Sequence, residues 1–446
     1  MAKIDVDTLI SARWIAPVDI DRDAILEGYS IAIKGDRIED ICPTNEASAK
    51  FNAKETLDLP EHVIIPGLIN AHGHAAMSLL RGFADDLPLK PWLEEHIWPA
   101  EGKHVSAPFV RDGTELAIAE MLLGGTTCFS DMYFFPEAAI EAVEQSGMRA
   151  QICIPIMDFP TPWASTPEEY LAKGESMLQQ LSNHNRIGLA LGPHAPYTVG
   201  DETFTRLVDL ADKYQRPIQV HLHETDEEVA SSLASLKVRP TERLESLGVL
   251  THTTQCVHMT QIDETDMNIL KRTGAHVVHC PESNMKLASG ICPTATLLAA
   301  DINTCIGTDG CASNNDLNML GEMRTAALLG KVSAGDPAVL GAHTLLKMAT
   351  LNGAKALGID DIAGSLTIGK RADIAAIALD DLQFSPIYDP VAHLLYTDCA
   401  HKVSHVWVDG KMVVRERQLL TLDAAAIHAR AKQWQATINQ ASQINE

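Results

Sequence analysis

Between Val63 and Gly310 the chain alternates eight short, apolar, β-rich runs with longer Ala-, Leu- and Glu-rich stretches. The runs are VIIPGLINAHGH, GTTCFSDM, RAQICIPI, IGLALGPH, PIQVHLHE, TQCVHMT, AHVVHCP and NTCIGTDG. Segments between them, such as FVRDGTELAIAEMLLG and DETFTRLVDLADKYQ, carry apolar residues at helical spacing. Strand and helix in strict alternation imply a parallel sheet, and eight units predict closure into an α/β fold of the (β/α)₈ TIM-barrel type. An open, doubly wound sheet is the alternative that periodicity leaves standing.

The two ends have a different texture. Residues 1 to about 60 alternate polar and apolar in short runs (IDVDTLISA, YSIAIKG, RIEDICP, ETLDLP), and LTIGKRADIAAIAL and HKVSHVWVDGKMVVRER repeat the pattern after about 366. Such alternation marks small antiparallel strands, and Asp409-Gly410 is a hairpin signal. We expect a small β-sandwich from residues 1–60 and 366–420, a barrel from 61–365, and a closing helix over 421–446.

In six of the eight runs a His or Asp closes the strand: His72 and His74, Asp131, His194, His221, His258 and Asp309. Barrel active sites are built from side chains at the carboxyl ends of several strands. One such His is ordinarily a half-buried polar residue; recurrence at the same end of successive strands is what points to a site. His72 and His74, at i and i+2, face the same side of a strand, so both imidazoles can converge on one cation. Zinc accepts neutral imidazole and carboxylate and keeps a position open for catalysis, and His221 and Asp309 supply a third imidazole and a carboxylate. His223 reads equally as a packed residue and as a functional one. Glu224 either faces a substrate beside the metal or belongs to the acidic turn Asp226-Glu227-Glu228.

Other chemistries find little support. There is no G-x-S-x-G elbow, P-loop or G-x-G-x-x-G opening a helix, and position 227, where a zincin would need its second His, is Glu. The P-C-x-x-C signature of nucleobase deaminases is missing. Gly124-Gly125-Thr126-Thr127 reads as a turn into a strand, and Trp92 and Trp98 as core. The formal charge of −24 disfavours phosphate backbones and anionic lipids, though not an uncharged nucleoside. Nine scattered cysteines with no C-x-x-C argue for reduced thiols in a cytoplasmic protein. Neither a signal peptide nor an apolar stretch of spanning length is evident.

In these residues the chain resembles the amidohydrolase superfamily, from PGLINAHGH through HLHE, CVHMT and HCPESNMKLASG to IGTDG, and again in GSLTIGKRAD. Within it, the segment LRGFADDLPLKPWLEEHIWPAEGKHV is similar to that of the 5′-methylthioadenosine/S-adenosylhomocysteine deaminases. The resemblance implies one zinc per chain, held by His72, His74, His221 and Asp309. The strand ends Cys153-Ile154-Pro155-Ile156 and Gly192-Pro193-His194 offer no bridging Lys or Glu for a second metal. It further implies that His258 serves the water, Glu224 the ring nitrogen, Asp309 or His258 the proton relay, and Glu101 the ribose hydroxyls, with His194 also on the substrate. The reaction implied is hydrolytic deamination of an adenine nucleoside, adenosine included, to the inosine analogue and ammonia.

Arginines near the third strand hold the amino-acid tail of the longer substrate in that family. Residues 150–185 contain none, and Arg149 is the substitute the sequence offers. Two other readings remain: a relative acting on guanine, cytosine or a chlorotriazine, and a non-catalytic, metal-stabilised binding protein. The expected partner is a nucleoside-sized molecule rather than nucleic acid or a membrane, and a homo-oligomer stays open.

Overall fold

Each of the eight runs forms a strand, and the other strands come from the two ends. The computed structural model describes residues 3–19, 24–181 and 184–443. In chain order the strands are β1 (Ile4–Ile15), β2 (Leu26–Lys34), β3 (Arg37–Pro43), β4 (Phe51–Pro66), β5 (Leu68–Gly73), β6 (Thr126–Met132), β7 (Arg149–Ile156) and β8 (Ile187–Pro193). They continue with β9 (Gln219–Leu222), β10 (Gln255–His258), β11 (His276–His279), β12 (Thr304–Ile306), β13 (Ile374–Ala378), β14 (Val403–Val408), β15 (Lys411–Arg415) and β16 (Gln418–Leu419).

The central strands pair in parallel as two four-stranded sheets, β5-β6-β7-β8 and β9-β10-β11-β12. The sheets meet along both outer edges. On one side Leu191 bridges Ile218, and the His221 amide donates to the His194 carbonyl at 3.1 Å. On the other the Asp309 amide donates to the His72 carbonyl at 3.1 Å. Gly307 makes that approach possible, since a Cβ there would lie 2.7 Å from the His72 nitrogen.

The helices between these strands bury one face each. Asp201–Tyr214 is typical: Thr203, Phe204, Leu207, Leu210 and Ala211 are its buried residues, at the spacing that puts them on one stripe. Local signals set the ends. Thr166 and Thr225 accept from the amides of Glu169 and Glu228 as N-caps, and Gly147 and Gly274 close helices in the left-handed conformation.

The first run divides between two sheets. Val63–Pro66 belongs to β4 and pairs antiparallel with β13, whereas Leu68–Gly73 joins β6. Gly67 is the crossing point, where a Cβ would fall 2.0 Å from Thr127 Oγ1. The chain ends form one eight-stranded sheet, β16-β15-β14-β13-β4-β1-β2-β3, so β4 runs through residue 60, where the sequence suggested a boundary.

Arg149, the first residue of β7, ties this sheet to the central strands. It is 3% exposed and donates to Asp373 at 2.9 Å, to Asp409, and to the Asn185 carbonyl at 3.1 Å. This corrects the expectation that Arg149 could hold a substrate's tail: its fork is occupied at the opposite end of β7 from the strand-closing histidines. The closing helix spans Ala424–Gln443 and docks on the helix Ala107–Leu123, with Trp434 Nε1 donating to Asp112 at 3.0 Å; residues 444–446 lie outside the described residues. All nine cysteines are buried and free of disulfides, and no described helix is long and apolar enough to cross a membrane.

Candidate metal and active site

The strand-closing residues gather at one end of the central strands. His72 is in β5, His74 just beyond it, and His221 in β9; one nitrogen from each lies within 4.8 Å of the others. In each ring the Nδ1–H has a fixed acceptor: Gln219 Oε1 for His72 (2.8 Å), the Met132 carbonyl for His74 (2.6 Å) and the His194 carbonyl for His221 (2.7 Å). All three Nε2 lone pairs therefore face one point, those of His72 and His221 only 3.1 Å apart. Asp309 Oδ1 lies 3.2 Å from His74 Nε2 and 3.6 Å from His72 Nε2. Converging lone pairs repel without a cation between them, and imidazoles with their second nitrogen tied to oxygen, plus a carboxylate, are a zinc donor set. These residues fit the metal that the sequence implied.

Asp309 is held from behind, its Oδ2 accepting from the hydroxyls of Ser283 (2.6 Å) and Ser313 (3.1 Å). Three residues at or just beyond strand ends, His223 (φ 54°), His258 (φ 79°) and Asp309 (φ 62°), have left-handed backbones. For a residue with a Cβ this costs on the order of 1–3 kcal/mol, a strain that clusters at functional sites.

Beside the cluster, Glu224 is 7% exposed and its Oε2 lies 3.7 Å from His258 Nε2, while Oε1 accepts from the Ser289 hydroxyl at 3.2 Å. Burial first, and the Asp309 carboxylate second, push the Glu224 carboxyl up to about 8. Burial holds the His258 imidazole down at about 4. Burial thus favours the protonated carboxyl and the neutral imidazole. Glu224 therefore lines the cavity and is not an exposed residue of the acidic turn.

Glu101, in the helix Trp98–His104, lines the same cavity and accepts from the Tyr133 hydroxyl at 2.7 Å. Burial pushes its carboxyl up to about 7 against that hydrogen bond. His194 lines the cavity too, its imidazole held down at about 3 by burial. Trp92, Trp98, Phe134, Met157 and Leu287 supply apolar walls, and no Lys or Arg lines the cavity among the described residues.

Two strand-end residues are turned away. His223 Nδ1–H donates to the Gln261 carbonyl at 3.0 Å, and Nε2 accepts from the Thr241 amide at 3.3 Å. Asp131 accepts from the Ala75 amide at 2.7 Å and so holds the turn after His74. The sequence did not single out Tyr133, Ser283, Asn284 or Ser289. Asn284, whose amide is 3.0 Å from His258 Nδ1, lies in HCPESNMKLASG, a segment noted there only for its resemblance.

Comparisons with known proteins agree with this geometry. A model of the amidohydrolase family matches residues 63–413. A protein of Saccharophagus degradans named 5-methylthioadenosine/S-adenosylhomocysteine deaminase is 54% identical over 436 residues, covering 98% of each chain. Among solved structures, an adenosine deaminase from Xanthomonas campestris with bound zinc superposes with a TM-score of 0.97 at 44% identity, over 98% of this chain and 100% of that one. An atrazine chlorohydrolase from Arthrobacter aurescens, complexed with zinc, shares the fold at TM-score 0.89 and 24% identity, over 96% and 99% of the two chains. With a family match over most of its length and a relative more than half identical from end to end, the chain belongs to the amidohydrolase family.

Proposed function

We propose that this chain is a zinc-dependent hydrolase that deaminates adenine nucleosides, 5′-methylthioadenosine, S-adenosylhomocysteine and adenosine among them, to the inosine analogue and ammonia. The observation that carries the reading is a buried Glu224 carboxyl in one cavity with the three converging imidazoles and Asp309. Two of the relatives above, from Saccharophagus degradans and Xanthomonas campestris, are deaminases by name, and this chain matches both from end to end.

His72, His74, His221 and Asp309 would hold one zinc ion. Bound there, zinc acidifies a water towards a pKa of about 7 and so makes it nucleophilic at neutral pH. Glu224 gives its proton to ring nitrogen N1 as water adds at C6, which relieves the negative charge the ring would otherwise gather. His258, 3.7 Å away, orients the water and takes up its proton. Asp309 or His258 then relays the C6 hydroxyl proton to the amino group. The C–N bond breaks, ammonia leaves and the C6 carbonyl forms, and the proton taken up by His258 returns to Glu224. Glu101 accepts from the ribose hydroxyls through the oxygen that Tyr133 leaves open, and His194 packs against the substrate. Apolar walls suit a methylthio group and offer a homocysteine carboxylate no cation.

The two central sheets make one closed (β/α)₈ barrel of about residues 61–365, a reading supported by their hydrogen bonds along both edges. The end sheet curls into a sandwich from about 1–60 and 366–420, since Ile10, Ile31, Ile38, Ile64, Ile374 and Trp407 share one apolar core. Residues from about 421 onward close the fold as a helix against the barrel.

A panel scored for ammonia release tests the function: the three nucleosides, free adenine, guanine and cytosine, with chloride release from a chlorotriazine. Turnover of the nucleosides with little on the others is expected. Turnover of a free base or triazine with the nucleosides untouched would discard the reading.

A further inference from the structure

Barrel interiors are ordinarily filled by branched apolar side chains. Here Gln151 of β7, Gln219 of β9 and Gln255 of β10 meet in the core, all buried. For Gln219 and Gln255 the direction of the amide is fixed by main-chain carbonyls, which can only accept. Gln219 Nε2 lies 3.0 Å from the Ala71 carbonyl, 3.1 Å from Ser130 Oγ and 2.6 Å from Gln255 Oε1. Gln255 Nε2 in turn lies 2.8 Å from the Ala356 carbonyl, which keeps its Oε1 towards Gln219. A main-chain carbonyl has no proton to give, so the nitrogen of Gln219 must face Ala71 and its oxygen must face His72 Nδ1, at 2.8 Å.

An amide oxygen only accepts. Nδ1 of His72 must therefore carry the proton, leaving Nε2 as a bare lone pair towards His221 and Asp309. His74 and His221 get the same instruction from main-chain carbonyls, which no substitution removes. Only for His72 is it delivered by a side chain.

We propose that Gln219 is a positioning residue for the metal site: its amide, aimed by Ala71, Ser130 and Gln255, locks His72 in the tautomer whose Nε2 binds zinc. The proposal rests on the metal reading above. Without Gln219 the ring can turn or take the other tautomer, and one of three imidazoles is lost from the ready set. Partners behind a metal-bound His are typically worth about 10- to 100-fold in metal affinity.

The test is the zinc dissociation constant, by competition with a chelator, for wild type, Gln219→Met, Gln219→Glu and Gln255→Met, with thermal melting of each metal-free protein. Gln219→Met should weaken zinc about 10- to 100-fold. Gln219→Glu still offers an oxygen to Nδ1–H, and Gln255→Met leaves Gln219 aimed by Ala71 and Ser130. Both should melt lower yet stay within about threefold of wild-type affinity, on the same ground that the Nδ1–H keeps its acceptor. Affinity that merely follows melting temperature across the set, or wild-type affinity in Gln219→Met, overturns the proposal. A wild type that binds no zinc would instead fail the metal reading. A further readout needs no variant at position 219. In ¹⁵N-histidine spectra of the metal-free wild type, the signal lost in His72→Asn should report a proton on Nδ1; a proton on Nε2 overturns the proposal.

Discussion

Glu224 Oε2 and His258 Nε2 face each other across 3.7 Å, an acid held protonated beside a base held neutral. Burial drives both shifts, and a carboxyl and an imidazole pushed apart in this way suit the proton-transfer roles proposed for them. Glu224→Gln keeps size and hydrogen bonding but cannot pass a proton. Bound zinc should remain while kcat falls by about 10² or more. Near-normal turnover would remove Glu224 from the reaction. His258→Asn should likewise keep zinc and lose rate; loss of the metal there would make His258 a ligand.

The metal site predicts one zinc per chain. Elemental analysis of purified protein should return a single equivalent, and complete chelation should abolish deamination until zinc is restored. Two tightly held ions, or full activity without metal, contradict the site formed by His72, His74, His221 and Asp309.

Glu101 is a test of the ribose. Its Oε1 accepts from Tyr133, so a substrate hydroxyl must use the remaining lone pairs. Glu101→Ala should lower kcat/KM for adenosine by about 1.5–3 kcal/mol of transition-state binding and have little effect on a 2′,3′-dideoxy analogue. Equal losses on both would mean that Glu101 does not read the ribose. Tyr133→Phe should give a smaller loss in the same direction, because it frees the carboxylate it orients.

Arg149 predicts the opposite pattern. Arg149→Met leaves the buried Asp373 without its guanidinium, at a cost of about 3–5 kcal/mol, while Asp409 keeps Arg371 at 3.8 Å. The melting temperature should drop sharply while KM for S-adenosylhomocysteine stays put. A raised KM for that substrate alone would return Arg149 to the binding site.

Acid should destabilise the metal-free protein. Burial lowers His223 to about 4, below the 6.5 of a free imidazole, so between these limits the unfolded chain binds more protons. Stability from this group is present above about 6.5 and is lost as pH falls towards 4, up to about 3 kcal/mol. Asn tolerates the left-handed backbone and can still donate to Gln261, so His223→Asn should flatten urea-midpoint curves over that range. An unchanged slope would place the acid sensitivity elsewhere.

What the sequence made legible, and what it hid, follows from chemistry. His72, His74, His221 and Asp309 stood out because titratable groups at the ends of apolar runs have no packing reason to recur. Gln151, Gln219 and Gln255 did not, since a glutamine inside a strand looks the same whether it faces water or another amide. His223 and Glu224 are neighbours with one pattern and two fates; the left-handed turn at His223 (φ 54°) sends its ring away from the cavity, and no residue type in the sequence marks that turn. The split at Gly67 was hidden for a similar reason: one apolar run serves two sheets, and its periodicity does not change on crossing.

The pairing of β4 with β13 has a consequence for the ribosome. The two strands lie about 300 residues apart in the chain, so at synthesis rates of roughly 5–20 residues per second β4 waits some 15–60 s for its partner. Throughout that time Val63, Ile64 and Ile65, all wholly buried in the finished protein, stand along an unpaired edge. A nascent chain of this design is most open to mispairing with its neighbours on a polysome just before its last hundred residues emerge.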